Sequence, residues 1–164
     1  MANINSNFKN NQKMNKSISK INIFICCLAL SFTYPNTGNY QITKYQANSL
    51  LHQITVIDEG DHRYLLFDDY IQTMMRKSRP LEGHFDYIEA FHLVNVLQGR
   101  EGTSCMVGLG GGSAIRTFAD RYKEGKIVVA EIDPVVEMVA SEYFGLPQIT
   151  NLEINIIDGR QMFK

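Results

Sequence analysis

A glycine-rich segment between two apolar runs constrains the fold of this chain more than any other feature. The first run ends at Val107, and residues 108–112 read Gly-Leu-Gly-Gly-Gly. The second run, residues 127–130, ends on the acid Glu131. A strand, a glycine turn, a helix and a second strand that ends on an acid form the opening unit of a nucleotide-binding α/β fold. We therefore predict a Rossmann-like parallel sheet in this part of the chain.

Strand and helix patterns alternate through the rest of this region, as a parallel sheet with helices requires. The predicted strands are 103–109, 126–132 and 152–158, and the predicted helices are 112–123 and 134–144. Apolar strands of this kind are normally covered on both faces. Asp133 and Pro134 are typical of a helix start, because an acidic cap and an early proline both favour one.

A small antiparallel β module and one helix are predicted before this sheet. Alternating patterns predict strands over 52–58, 63–68 and 70–75, and helical spacing of apolar residues covers 84–97, with Gly99 as a cap. His92 is predicted to be a polar residue at the edge of that helix face. The domain boundaries that follow are 34–80 for the β module and 81–164 for the nucleotide-binding domain.

The N-terminal segment differs in composition from the rest of the chain. Its first twenty residues contain four lysines and no acid, and residues 21–32 are mostly apolar. We expect residues 1–33 to form a disordered basic segment followed by a signal-like or anchor-like run, because a membrane span needs about 20 apolar residues. The alternative is an ordinary buried strand after a disordered tail.

Composition limits the partners and cofactors. The formal net charge is −1, whereas proteins that bind nucleic acid normally present a basic surface, so we expect no nucleic-acid partner. Three cysteines, Cys26, Cys27 and Cys105, lack the spacing of a zinc site, so we expect no metal.

The glycines and two acids indicate where a ligand binds. Gly108, Gly110 and Gly112 let a ligand approach the backbone closely. The N-terminus of the following helix favours a pyrophosphate or a carboxylate. Glu131 is placed to accept hydrogen bonds from ribose hydroxyls. Asp158 ends the third strand at the same edge of the sheet, where it either accepts a bond from an adenine amino group or caps a helix.

Five motifs resemble, in order and spacing, those of the spermidine synthase family, the polyamine aminopropyltransferases, and especially its divergent spermidine synthase-like members. They lie at 65–72, 86–89, 107–116, 131–140 and 158–160, within a resemblance that covers residues 49–164. It implies an α/β fold of the type found in S-adenosylmethionine-dependent methyltransferases, preceded by a β-hairpin module. It also implies a role in polyamine biosynthesis and a cytoplasmic location, although the signal-like N-terminus favours export or membrane anchoring.

Carried over by position, the resemblance implies a site for S-adenosylmethionine or its decarboxylated form as a substrate, with no metal. Glu131 would hold the ribose, and Asp158 and Gly159 would flank the adenine. Three glycines of the turn would hold the methionine-like tail: Gly108, Gly110 and Gly112.

On the acceptor side, Tyr87 and Glu89 would face a small-molecule amine. The sequence departs from the family where Gly111 replaces an Asp that holds the cofactor amino group, and where Ile88 replaces His or Gln. The Asp that would deprotonate the amine lies on the next strand, beyond Lys164, so we expect an incomplete sheet and a truncated member with no catalytic residue. Because an amine must lose its proton to attack, aminopropyl transfer should be reduced or absent.

Other interpretations stay open. A non-catalytic fragment or pseudoenzyme fits the departures, and a small-molecule S-adenosylmethionine-dependent methyltransferase needs only to position an existing nucleophile. A nicotinamide-dependent dehydrogenase is disfavoured because Ser113 stands where a dinucleotide-binding turn has Gly or Ala. The first parallel strand would keep an open apolar edge, with Met106, Val107 and Val129 less buried than their character requires, so we also expect a homodimer or aggregation.

Overall fold

The computed structural model of the chain describes residues 40–98 and 102–162. The predictions for residues 1–33, and for Gly99 as a helix cap, lie outside the described residues. Within them, a four-stranded antiparallel sheet is followed by a three-stranded parallel sheet with helices. The predicted fold class, a Rossmann-like sheet preceded by a β-hairpin module, is confirmed.

The antiparallel sheet has the order β1-β2-β3-β4. Its strands are β1 (Gln41–Asn48), β2 (Gln53–Glu59), β3 (His62–Phe67) and β4 (Tyr70–Arg76). The last three agree with the predicted strands to within one residue at each end, whereas β1 lies outside them. Most side chains of β1 are open to solvent, Ile42 at 57% among them, so the strand lacks the alternating pattern by which the others were predicted.

Two short helices, α1 (Tyr87–Phe91) and α2 (Leu93–Gln98), replace the continuous helix predicted over 84–97. They meet at His92, which is 5% exposed and hydrogen-bonds through Nε2 to Thr117 Oγ1 at 3.1 Å. The prediction that His92 lies at the edge of a helix face is therefore wrong. Because the regular helix stops at this residue, Val96 is 69% exposed and does not share a buried face with Ile88.

The parallel sheet has the order β5-β6-β7. Its strands are β5 (Thr103–Val107), β6 (Lys126–Glu131) and β7 (Leu152–Ile156), connected by α3 (Ser113–Arg121) and α4 (Pro134–Phe144). Successive connections step in one direction, and right-handed crossovers of that kind put both helices on the same face. The start of α4 is as predicted, because Asp133 accepts a hydrogen bond from Val135 N at 2.9 Å and Pro134 follows it.

One hydrophobic core joins the two sheets. Its most buried members, at most 1% exposed, come from both sheets and from helices α3 and α4: Ile54, Val56, Leu65, Ile115, Val129, Val136, Val139, Ala140 and Phe144. Arg63 strengthens this junction. Its guanidinium holds Asp58 through two hydrogen bonds of 2.7 and 2.9 Å and donates a third, of 2.6 Å, to Tyr143 O near the end of α4.

Within the described ranges, the parallel sheet is covered on one face only. Val129 is fully buried and Met106 packs partly against the core, whereas Cys105 is exposed and Val107 is 56% exposed. The prediction of two covered faces is wrong because α3 and α4 both contribute to the core side. β5 is an edge strand, as predicted, and Val107 is less buried than its character requires, but the same prediction is wrong for Val129.

Two kinds of feature, a membrane-spanning helix and a metal-binding group, are absent from the described residues. None of their helices is long and apolar enough to span a bilayer. They also contain no group of three or more His, Cys, Asp or Glu side chains that could hold a metal ion.

Candidate functional site

The glycine turn, residues 108–112, leads directly from the end of β5 into α3. Gly108 N donates to Ala130 O at 2.8 Å, so the turn starts beside the end of β6. Gly108, Gly110 and Gly112 have φ angles of 88°, 54° and 71°, a left-handed conformation that favours glycine. The shape of the turn therefore requires all three predicted glycines.

Glu131 ends β6 and is 6% exposed. Its Oε2 accepts a hydrogen bond from Leu109 N at 2.8 Å, and its Oε1 accepts one from Asp133 N at 2.9 Å. The carboxylate thus fixes both the start of the glycine turn and the junction between β6 and α4. Each carboxylate oxygen has a second lone pair, so Glu131 can accept further hydrogen bonds in a fixed orientation.

A contact with β4 completes the glycine turn and was not predicted. Thr73, which is 5% exposed, accepts a hydrogen bond through Oγ1 from Gly111 N at 2.8 Å. A Cβ on Gly111 would lie 2.6 Å from Thr73 Cγ2, which is too close for any side chain without movement. The sequence gives no distinct signal for this contact, since threonine is common in strands.

Arg116, one turn into α3, ties the glycine turn to other segments and is 5% exposed. Its Nη1 donates to Gly111 O at 2.6 Å and to Phe144 O at 2.7 Å. Nη2 donates to Ser113 Oγ at 3.0 Å, and Nε donates to Pro80 O at 3.2 Å. These acceptors are all neutral, and burial lowers the pKa of Arg116 to about 10. The site therefore has a buried positive charge that sequence analysis placed at the end of a motif without giving it a role.

Two amides of this segment stay open to a ligand. Gly110 N and Ser113 N make no hydrogen bond within the part of the chain that the structure describes. Ser113 is the first residue of α3, and the first N–H groups of a helix have no partner inside it. Such groups, together with the helix dipole, favour negatively charged ligand groups.

Asp158 and Gly159 follow β7. Asp158 Oδ1 accepts a hydrogen bond from Arg160 N at 2.9 Å, and its carboxylate pairs with the Arg160 guanidinium. It thereby caps the 3₁₀ turn Gly159–Gln161, which is the helix-capping alternative for this residue. Gly159 lies against Val107, because a Cβ on Gly159 would overlap Val107 Cγ1. The structure thus brings Gly159 to the beginning of the glycine turn.

Tyr87 and Glu89 lie elsewhere. Glu89 pairs with Arg121, the last residue of α3, at 2.9 Å and with His84 at 3.4 Å. Tyr87 stacks on Phe85 at a ring distance of 5.9 Å. Because α3 rises 1.5 Å per residue, Arg121 is about 12 Å along the helix from its first residue. Glu89 therefore lies beside the C-terminal end of α3, whereas the glycine turn precedes the N-terminal end of that helix.

Two curated proteins are similar in sequence, while no protein-family model matches the chain. The chain is 27% identical over 125 residues to the polyamine aminopropyltransferase of Vibrio vulnificus, which covers 73% of this chain and 42% of that protein. A stretch of 57 residues is 39% identical to the eEF1A lysine and N-terminal methyltransferase of Mus musculus, covering 35% of this chain and 8% of that protein.

Solved structures of spermidine synthases share the fold. The Thermotoga maritima enzyme matches with a TM-score of 0.62 and 19% identity, over 73% of this chain and 41% of that one. A spermidine synthase in complex with the transition state analogue AdoDATO gives the same score and identity, over 73% of this chain and 42% of that one. The chain thus spans less than half the length of each of these relatives. The chain is therefore similar in sequence to a polyamine aminopropyltransferase, and its fold is shared with spermidine synthases.

Proposed function

We propose that this chain binds the adenosyl group of S-adenosylmethionine, or of its decarboxylated form, at the glycine turn. The observation that carries the proposal is Glu131, a buried carboxylate that the Leu109 and Asp133 amides hold in one orientation. Ribose offers two adjacent hydroxyl donors, and an acid at the end of the second strand is their usual acceptor in folds of this kind. Glu131 would therefore hold the ribose beside the turn.

The remaining parts of the ligand would extend from the ribose along the turn. A Cβ built on Gly108 meets nothing within 4 Å, so the backbone there is open to close approach. The tail would lie beside the open amides of Gly110 and Ser113. The adenine would lie on the side of Gly159 and Asp158, beyond the end of β5. The three proposed positions, for the ribose, the tail and the adenine, would be filled by one extended adenosyl compound rather than by two separate ligands.

Group transfer from that cofactor to a small amine is the activity we propose for the whole protein. The similarity to a polyamine aminopropyltransferase supports it, as does a fold shared with a synthase that holds a transition state analogue. Within the described ranges we assign no catalytic residue, since Glu89 pairs with Arg121 at the C-terminal end of α3. A small-molecule methyltransferase is the second candidate, because the 57-residue similarity is to a methyltransferase and methyl transfer depends mainly on positioning.

Isothermal titration calorimetry of the full chain tests adenosyl binding, with S-adenosylmethionine, methylthioadenosine and NAD as ligands. We expect both adenosyl compounds to bind more tightly than NAD. Tighter binding of NAD than of either compound refutes the proposal.

Substitutions of Glu131 test the ribose contact. Glu131→Ala should cost about 1.5–3 kcal/mol of binding, the usual range for a hydrogen bond to a charged group. Glu131→Gln preserves the shape but removes the charge and, because its NH2 group cannot accept, one of the two hydrogen bonds from the Leu109 and Asp133 amides. Glu142→Gln, on the exposed side of α4, is the matched control and should bind like the unaltered chain. Because Glu131 also supports the fold, thermal melting of each variant must accompany the titration.

A further inference from the structure

Given the proposed function, the charges around the glycine turn decide which of the two cofactor forms the chain takes. S-adenosylmethionine has an ammonium and a carboxylate at the end of its tail. The decarboxylated form has the ammonium alone. We call the part of the turn that leads into α3, residues 110–112, its tail end. The choice between the two cofactor forms therefore depends on whether this tail end favours a positive or a negative ligand group.

The tail end of the turn is closed to an acidic side chain. Gly111, the fourth of the five turn residues, packs against Thr73, and a Cβ on Gly111 would lie 2.6 Å from Thr73 Cγ2. Thr73 cannot easily move aside, because it pairs with Leu65 across the sheet and Leu65 is fully buried. Met75, two residues further along β4, is also buried. No carboxylate for a ligand ammonium can thus be carried at position 111 without repacking this face.

The same segment carries a buried positive charge. Arg116 donates to Gly111 O at 2.6 Å, and its other acceptors are the oxygens of Phe144, Ser113 and Pro80, all of them neutral. With 5% of Arg116 exposed, water screens its charge poorly. A ligand ammonium near Gly111 is therefore repelled, and a ligand carboxylate is attracted.

The acids of the site contact the start of the turn rather than Gly111. Glu131 is held by Leu109 N, at the start of the turn, and by Asp133 N. Asp133 caps α4 through Val135 N. At the tail end, Gly110 N and Ser113 N add two further donors for a negative group.

We propose that the chain selects an adenosyl compound whose tail carries a carboxylate, S-adenosylmethionine or S-adenosylhomocysteine, over the decarboxylated cofactor. Arg116 acts as a positioning residue in this choice. It holds the carbonyl of Gly111 and sets the sign of the local field without touching the ligand.

Three thioethers that differ only in their tails provide the test: S-adenosylhomocysteine, its decarboxylated analogue, and methylthioadenosine. Calorimetry with the full chain should give about tenfold tighter binding of S-adenosylhomocysteine than of the decarboxylated analogue, with methylthioadenosine between them. If the decarboxylated analogue binds as tightly as S-adenosylhomocysteine, or more tightly, this inference is overturned while adenosyl binding stands. If none of the three binds, the proposed function itself fails.

Variants separate the charge of Arg116 from its role in the fold. Arg116→Gln should reduce the preference for S-adenosylhomocysteine over the decarboxylated analogue at least threefold, and the affinity of each variant for the tail-less methylthioadenosine reports any change in the turn itself. Arg121→Gln, at the other end of α3 and partly exposed, should leave the preference as it is. An unchanged preference in folded Arg116→Gln contradicts the role of Arg116. If that variant does not fold, the ratio measured with the unaltered chain still decides the proposal.

Discussion

Two buried residues that can carry a charge, Arg116 and His92, contact the N-terminal and the C-terminal half of helix α3, and their surroundings differ. At the N-terminal end, Arg116 donates hydrogen bonds to four oxygens. Toward the other end, His92 stacks on Phe118 at 4.5 Å and hydrogen-bonds to Thr117, while its Nδ1 is buried without a hydrogen-bond partner among the described residues. A buried polar group stabilises a fold when it is satisfied and costs free energy when it is not. The N-terminal half of α3, beside the candidate site, is thus the one whose buried charge has its hydrogen bonds satisfied.

Replacing Arg116 should have the largest effect on stability. Arg116→Met keeps a long apolar stem but leaves the carbonyls of Gly111, Phe144 and Pro80 without their donor. Unsatisfied buried groups cost about 1–3 kcal/mol each and do not add fully, so we expect a loss of about 3 kcal/mol in the free energy of unfolding. Urea denaturation measures it. Arg121→Met should change stability by at most about 0.5 kcal/mol, as surface substitutions usually do. A loss below about 1 kcal/mol for Arg116→Met would contradict the comparison of the two ends.

Thr73, in β4, tests how firmly the glycine turn before α3 is held, because its hydroxyl accepts the hydrogen bond from Gly111 N. Thr73→Val keeps the shape of the side chain and removes the acceptor for Gly111 N, which should cost about 1–2 kcal/mol. Hydrogen exchange of the Gly111 amide, followed by NMR, should accelerate in this variant. Thr73→Ser keeps the hydroxyl and should keep the protection of that amide even if stability falls through the lost methyl group. Equal exchange in the two variants would show that the hydroxyl does not hold the turn.

The free energy of unfolding should fall in mild acid because of His92, which packs beside the C-terminal half of α3. Burial, and then repulsion from Arg121, lower the pKa of His92 below its usual value of 6.5. His84 acts in the same direction, and Glu89 opposes it. Below pH 6.5 the unfolded chain therefore takes up a proton that the folded chain does not, and stability falls as the pH falls. The slope from this group is at most about 1.4 kcal/mol per pH unit.

Urea denaturation between pH 7 and pH 5 tests this, with His92→Phe as the comparison. The variant should lack the part of the slope that His92 contributes. Asp58 does not interfere in this range, because hydrogen bonds from Arg63 and Lys77 keep its pKa below 3.8. Parallel slopes in the two proteins would mean that His92 does not couple protonation to folding.

The smallest effect is expected from the same variant at neutral pH. His92→Phe removes the unpartnered Nδ1 and preserves the stacking on Phe118, so stability should change by less than about 1 kcal/mol, in the stabilising direction. Thr117 keeps a partner, because its hydroxyl also donates to Ala114 O at 3.0 Å. Thermal melting of the two proteins at pH 7 measures the difference. A loss above about 1 kcal/mol would show that the histidine is needed at this end.

The features that could be predicted are those that depend on residues close together in the sequence. The glycine turn, the acid at the end of β6 and the cap of α4 each depend on neighbours within a few residues, and the structure has them where the sequence indicates. Strands β2, β3 and β4 were predictable because they bury alternate side chains. β1 was not, because it is mostly exposed and offers no such alternation.

The contacts that complete the site depend instead on how separate segments pack. Thr73 and Gly111 are 38 residues apart, and Arg116 is 28 residues from Phe144 and 36 from Pro80. Helical spacing likewise indicated an apolar face around Ile88. It gave no sign that the helix stops at His92, since that depends on the aromatic side chains of α3.

The dual attachment of Glu131 has a consequence for how motifs of this kind are interpreted. One carboxylate holds two backbone amides, one in the glycine turn and one at the start of α4. A descendant that had ceased to turn over any substrate would still lose stability on replacing this acid. Natural selection for an intact scaffold is then enough to preserve what is usually taken as a signature of cofactor use. For a chain like this, the strand-terminal acid bears on architecture as well as on ribose binding, and titration and melting of the Glu131 variants separate the two.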